Sequence, residues 1–200
     1  TTFTPYHPGG YSTYFDGADD LLTVASDASL AVGTGDFTIE FWANWTAWTG
    51  NQRMILMGQA GASNIEISRD AGSDVLNVYI SGSIINYTWN PGAGVWHHIA
   101  LVRTGTGTNG VTLYINGVNV ATGTSATNIS ANNFFIGGLS WATGYNMHGY
   151  IADVRFVSGT AVYTSTFTPS TEPLTAIANT SLLTCTNKND IWEQGSGSLL

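Results

Sequence analysis

Short runs of apolar, aromatic and β-branched residues recur along the chain at close spacing, each bounded by Gly, Asn, Asp or Ser. No stretch carries the i, i+3, i+4, i+7 stripe of an amphipathic helix. The runs predict strands at Tyr11–Phe15, Leu21–Val24, Phe37–Thr46, Arg53–Gln59, Asn64–Arg69, Val75–Ile80, Ile84–Trp89, Trp96–Thr104, Val111–Ile115, Val118–Thr122, Phe134–Gly137, Tyr150–Val157 and Ser181–Thr184. The run beginning at Phe37 opens by alternating apolar and polar residues, as a half-buried strand does, and Phe41 and Trp42 on it are expected in the core. Asn116-Gly117 between Ile115 and Val118 signals a two-residue type I′ hairpin. Thirteen short strands with tight turns and no intervening helices mean an all-β antiparallel sandwich or barrel.

Loops between successive antiparallel strands alternate between the two ends of a sandwich. Counting forward from 47–52, the segments 71–74, 90–94, 116–117 and 139–148 fall at the same end. That end gathers Trp48, Asn51, Asp70, Asp74, Asn90, Asn116, Trp141 and Tyr145, whereas 60–63, 81–83, 105–109 and 123–133 carry mostly Gly, Ser, Thr and Ala. Aromatic faces pack on the C–H edges of sugars while amides and carboxylates take the hydroxyls, so Trp48, Asn51, Asn90, Trp141 and Tyr145 are the candidate ligand-binding residues. The other reading of Trp48 and Trp141 is that they turn inward and cap the core.

Composition narrows the function. Thirteen acidic residues against five basic ones give a net charge of -8, and only 9% of residues are charged. Five Lys and Arg cannot form the basic stripe that nucleic acid or an anionic membrane surface requires. No apolar run reaches the roughly 18 residues of a membrane span. The single cysteine, Cys185, has no disulfide partner and reads as a buried thiol. No linker-type break divides residues 1–200, which are expected to form one domain. The chain starts at Thr1 with no visible targeting segment, and it is expected to be a piece excised or processed from a longer multi-module protein. Thr2-Phe3-Thr4-Pro5 and Thr166-Phe167-Thr168-Pro169 echo each other, either by chance or as joins in a tandem array, and 187–200 look like a strand cut short.

Motifs of chemistry mostly fail. Gly105-x-Gly107-x-x-Gly110 spells a dinucleotide fingerprint, but Val111 continues as a strand where the mechanism needs a helix N-terminus. His97 and His98 are adjacent on one strand and point to opposite faces. A glycanase needs paired carboxylates across the cleaved bond, and neither Glu40 nor Glu66 has an acidic residue two positions away. Glu66 and Asp70 are four apart, with Asp70 expected beyond the strand end. Calcium takes oxygen ligands from loops, which makes Asp70 and Asp74 its candidate ligands; Asp16, Asp19 and Asp20 cluster in another turn. The competing explanation is ordinary Asx-turn chemistry.

Tyr14-Phe15-Asp16-Gly17, Gly35-Asp36-Phe37-Thr38-Ile39-Glu40-Phe41-Trp42, Trp96-His97-His98-Ile99-Ala100, Leu113-Tyr114-Ile115-Asn116-Gly117 and Gly149-Tyr150-Ile151-Ala152-Asp153-Val154-Arg155-Phe156 occur in this order. As a set they resemble the laminin G-like and pentraxin-like branch of the concanavalin A-like lectin/glucanase superfamily. The resemblance implies a two-sheet antiparallel jelly roll whose members bind glycans or proteins, often without catalysis and sometimes through calcium. The tail from Ala161 to Cys185 is similar to such domains in structural proteins of tailed bacteriophages. The expected function is that of a non-enzymatic adhesion module outside the cell or on a virion surface, binding a surface glycan or protein receptor. The alternative is a purely structural module contacting neighbouring modules, virion proteins or its own copies as a homo-oligomer; a glycan hydrolase is a distant third.

Overall fold

A computed structural model describes residues 4–6, 10–58 and 65–187. Thr2 and Phe3 of the echoed tetrapeptide, the loop at 60–63 and all but the first residue of the expected strand over 187–200 lie outside the described residues.

Thirteen strands form among the described residues: β1 (Thr13–Asp16), β2 (Leu22–Val24), β3 (Phe37–Trp45), β4 (Gln52–Met57), β5 (Ile65–Arg69), β6 (Val75–Tyr79), β7 (Ser83–Thr88), β8 (Trp96–Arg103), β9 (Val111–Ile115), β10 (Val118–Gly123), β11 (Phe134–Ile136), β12 (His148–Ser158) and β13 (Thr180–Thr184). One turn of 3₁₀ helix at Ala28–Leu30, capped by the Asp27 side chain on the Ser29 amide, is the element the strand pattern does not show. The strands pair in a seven-stranded sheet, β1-β12-β3-β8-β9-β10 with β13 on β12, and a six-stranded sheet, β2-β11-β4-β5-β6-β7. Every pairing is antiparallel. Between the sheets lies the apolar core, with Phe37, Ile39, Phe41 and Trp45 of β3 facing Ile55, Ile67, Val78 and Phe134 of the other sheet. Cys185 is buried in it, as expected. Asn116 and Gly117 both take positive φ, 51° and 78°, which is the type I′ hairpin their pairing predicts. The glycine-rich stretch closes as a hairpin loop through Thr104 N–H to the Gly110 carbonyl at 2.7 Å.

Trp42 corrects one expectation. Consecutive strand residues point to opposite faces, so Phe41 and Trp42 cannot both face inward; Phe41 is wholly buried and Trp42 lies half-buried on the outer face. That outer face is itself covered over half its length. Residues 160–175 cross it, and β3 is buried on both sides as a result.

A buried charge cluster pins this strap. Glu40 Oε1 accepts from Arg155 Nε at 2.9 Å and Nη2 at 2.6 Å, and Oε2 accepts from His98 Nε2 at 3.1 Å and the Tyr163 hydroxyl at 2.8 Å. Tyr163 stacks flat on Phe167, with ring centroids 3.6 Å apart, and the Phe167 amide donates to the Gly117 carbonyl. A Cβ on Gly117 would collide with the Phe167 carbonyl, so this approach needs glycine as well as the turn does. Where the β12 register shifts, Asp153 sits at φ 51° and takes the Tyr6 hydroxyl and the Leu174 N–H, tying the segment before β1 and the strap to one carboxylate.

Burial alone would raise the Glu40 pKa, but the His98 hydrogen bond and the Arg155 and His98 charges outweigh it and hold the carboxyl below its ordinary value. Its stabilisation is therefore complete above the ordinary carboxyl range and lost as the pH falls through the depressed folded value. Glu40→Gln should cost about 3–5 kcal/mol, the range for breaking one side of a buried pair, and flatten the acid limb of the stability curve. A urea midpoint unchanged at neutral pH would contradict this. Asp153 behaves oppositely: burial, aided by the Glu40 charge, outweighs its hydrogen bonds and lifts it to about 6. Its contribution is present below the ordinary carboxyl range and lost as the pH rises through about 6. Asn at 153 keeps the acceptor and tolerates positive φ, so Asp153→Asn should gain on the parent protein as the pH rises through that window. A difference that stays constant from about pH 4 to pH 7 would contradict it.

Candidate functional site

The register places the segments 17–21, 46–51, 70–74, 89–95, 116–117 and 137–147 at one end of the sandwich. These are the loops that strand alternation brings together, with the turn after β1 added to them. This end is fixed from beneath. Gln52 Nε2 donates to the carbonyls of Ala47 (2.7 Å) and Thr49 (2.8 Å), its Oε1 accepts the His148 N–H, and Arg69 donates to the Gly50 carbonyl. His97 joins two further loops: Nε2 donates to the Pro91 carbonyl at 2.9 Å while Nδ1 accepts from Asn116 Nδ2 at 3.1 Å. Burial pushes the His97 pKa down against the opposing pull of the Pro91 carbonyl, which agrees with that neutral tautomer.

Trp48 does not stand at the surface as a platform. It is 8% exposed, edge-on to Trp45 (5.0 Å) and Trp89 (5.8 Å), with the Arg69 guanidinium over its ring at 5.2 Å. These partners arrive from three other strands or their ends and close the core, so Trp48 is a structural cap. Trp141 is the opposite case: 39% exposed, it rests edge-on against Phe135 at 5.3 Å. It lines an open cavity of about 520 Å³ with Asp19, Leu21, Ser140, Thr143 and Asn146.

Asp70 and Tyr145 come together around Arg53. Its guanidinium lies 4.9 Å from the Tyr145 ring centroid and binds Glu66 and Asp70, each at 2.8 Å. Asp70 also accepts from Asn77 (3.2 Å) and Tyr79 (3.3 Å), and burial together with the Asp70 charge raises the Tyr79 pKa. Asn51 accepts the Ala71 N–H at 2.8 Å. Asn90 stands apart, its Oδ1 closing an Asx turn on Gly92. Arg53, Glu66, Ser68 and Asn77 occupy outward positions of β4, β5 and β6, so period-2 alternation marks their face although not their pairing.

The acidic side chains are engaged rather than poised. Glu66 and Asp70 bind one guanidinium, so neither is held as a free acid or base. Asp70 and Asp74 do not fit a shared cation, because each turns to a different arginine: Arg53 for Asp70, and Arg69, at 3.9 Å, for Asp74. Asp16, Asp19 and Asp20 bring one carboxylate oxygen each within 4.8 Å of the others. Asp16 takes the Ala18 N–H and Asp20 takes the Asp16 N–H, which is turn chemistry.

Known structures share this architecture. Over 96% of its length the chain is similar to a Bacteroides ovatus protein described as a candidate carbohydrate binding protein, at 16% identity and a TM-score of 0.64, and it spans 54% of that chain. It is similar to the native heptameric SAP-like pentraxin of Limulus polyphemus (14% identity, TM-score 0.58, 78% of each chain covered). Mouse laminin α1 domains LG4–5 match at 15% identity and a TM-score of 0.50, over 81% of this chain and 47% of that one. At such identities the likeness shows the fold alone. No curated protein sequence matches. The family model for laminin G-type domains matches residues 16–174, more than half the chain, and the chain belongs to the concanavalin A-like lectin/glucanases superfamily.

Proposed function

We propose that this domain is a non-catalytic carbohydrate-recognition module, displayed outside the cell or on a virion surface, that holds a glycan at the loop end. The observation that carries the proposal is Trp141: the most exposed tryptophan among the described residues, it lines a cavity beside the polar side chains of Asp19, Ser140, Thr143 and Asn146. An indole face on sugar C–H groups with amide, hydroxyl and carboxylate at its rim is the arrangement that recognises saccharides. The structural likeness to a candidate carbohydrate binding protein supports this reading. The superfold hosts catalysis as well as binding, and a hydrolase is disfavoured here because Glu66 and Asp70 neutralise Arg53. Calcium belongs to the proposal only at the turn of Asp16, Asp19 and Asp20, next to the Trp141 cavity. A second reading, assembly with neighbouring modules or virion proteins, is favoured by the edge strand β1 with the exposed Tyr11 and Tyr14 beside it.

A glycan array run in calcium and again in chelator should return saturable binding, with Trp141→Ala lowering it at least tenfold. Loss in chelator that Asp19→Asn reproduces places an ion at the 16–20 turn, and retention in chelator removes it. Trp48→Ala should act on stability, by about 3–5 kcal/mol. A blank array with working controls would overturn glycan recognition in favour of assembly, and binding of every array hit left intact in Trp141→Ala would move recognition from the loop end.

A further inference from the structure

The outer face of the seven-stranded sheet is covered by the strap only over part of its length. Toward the loop end it carries a second set of aromatic rings. At one register level across four strands stand Tyr14 (β1), Tyr150 (β12), Asn44 (β3) and Trp96 (β8). Tyr14 and Tyr150 rings lie 4.9 Å apart, and Tyr150 and Trp96 lean together over Asn44 with centroids 6.4 Å apart. Tyr14 is 50% exposed, and Tyr150 and Trp96 are half-buried. Beside Trp96 an open groove of about 450 Å³ continues along the same face, lined by Trp42, Tyr6, Asn116, Ser170 and Thr171.

We infer that this aromatic row and its groove form a second glycan-binding face, distinct from the Trp141 cavity, and that its ligand is an uncharged oligosaccharide. The inference rests on reading the domain as a glycan-binding module, and three observations carry it further. First, three rings stand side by side at one register level, each tilted to its neighbour by 46° or 48°, and give a row that successive sugar units can follow, whereas an apolar protein partner would need no register among them. Second, Asn44 is wholly buried at the register level of Tyr150 and Trp96, and among the described residues neither its Oδ1 nor its Nδ2 has a hydrogen-bond partner. A buried amide without partners is costly, and a sugar that parts the two rings would bring hydroxyls to both its donor and its acceptor. Third, among the described residues no charged side chain lines the groove, and none of the described arginines is free for an anion: Arg69, Arg103 and Arg155 are buried, and Arg53 is bound by Glu66 and Asp70. The exposed charges of the described residues are acidic, at Asp16, Asp19, Asp20, Asp27, Asp74 and Glu172. A sialylated or sulfated glycan would meet repulsion there, while a neutral one meets aryl faces, amides and hydroxyls.

The test is calorimetric titration of the parent protein and of Tyr14→Ala, Trp96→Ala and Trp141→Ala. The probes are neutral gluco-, galacto-, manno- and xylo-oligosaccharides, with sialyllactose and a sulfated heparin oligosaccharide as acidic controls. Thermal melts show which variants are folded, and the exposed Tyr14 provides the variant least able to perturb folding. At least one neutral sugar should bind at least tenfold more weakly to Tyr14→Ala and Trp96→Ala, keep its affinity for Trp141→Ala, and bind independently of salt. Binding lost in Trp141→Ala but intact in folded Tyr14→Ala and Trp96→Ala overturns the second face and leaves the loop-end reading standing. Tight binding of the acidic probes overturns the uncharged class. A parent protein that binds no sugar, and whose self-association or capture of a proline-rich peptide disappears in Tyr14→Ala, overturns both readings.

Discussion

Strand β3 is buried on both of its faces, and one of those faces carries the carboxylate of Glu40. A buried carboxylate without water must have all its oxygens occupied, and Glu40 has Arg155, His98 and Tyr163 to do so. Three separate parts of the chain are thereby drawn to one point: β12, β8 and the segment after β12. The strap is a consequence, and with it the division of the outer sheet face into a half closed by Tyr163 and Phe167 and a half left open toward the loops. The open half is where Tyr14, Tyr150 and Trp96 align. Structure and candidate function thus meet on a single sheet, because the ion pair that seals one part of it determines where the other part begins.

The loop end is built on the same economy of charge. With few cations in the sequence, the described ones are spent internally: Arg103 on the carbonyls of Gly33, Gly35 and Thr127, Arg69 on Gly50 and the Trp48 ring, Arg53 on two carboxylates. Each guanidinium clamps a loop or a strand end, and the outward surface is left neutral to acidic. Long connecting segments between short strands would otherwise be the mobile part of such a sandwich. Here Gln52, Arg69 and His97 hold two of them, 46–51 and 89–95, by backbone carbonyls, so the residues that face solvent do so from a fixed base.

Much of this was readable in the residues. The strands, the Asn116-Gly117 hairpin and the clustering of loops at one end follow from period-2 alternation and turn chemistry, which are local. What decided the site was not local. Trp48 and Trp141 both lie between strands, and nothing nearby in sequence distinguishes an indole that turns inward from one that stays out. The difference is that Arg69, Trp45 and Trp89 converge on Trp48, whereas among the described residues Trp141 finds only Phe135 as a ring partner. Asp70 was legible as a turn residue, but its bond to Arg53 depends on the register shift between Arg53 and Ile55 in the β4–β5 pairing. The strap at 160–175 has no periodicity to announce it, and Tyr150 and Trp96 become neighbours only because β3 places a small Asn44 between their strands.

Trp45, Trp48 and Trp89 close the core, while Trp141 and Trp96 are the two proposed to meet ligand. The seven tryptophans give one indole N–H signal each in a ¹⁵N-correlated spectrum, which makes the division directly observable. Titrating in neutral oligosaccharides that the protein binds should move the Trp141 signal with a loop-end ligand and the Trp96 signal with a ligand of the outer sheet face, saturably, and leave Trp45 and Trp48 in place. Signals of Trp45 and Trp48 that shift while Trp141 and Trp96 stay still would contradict the account.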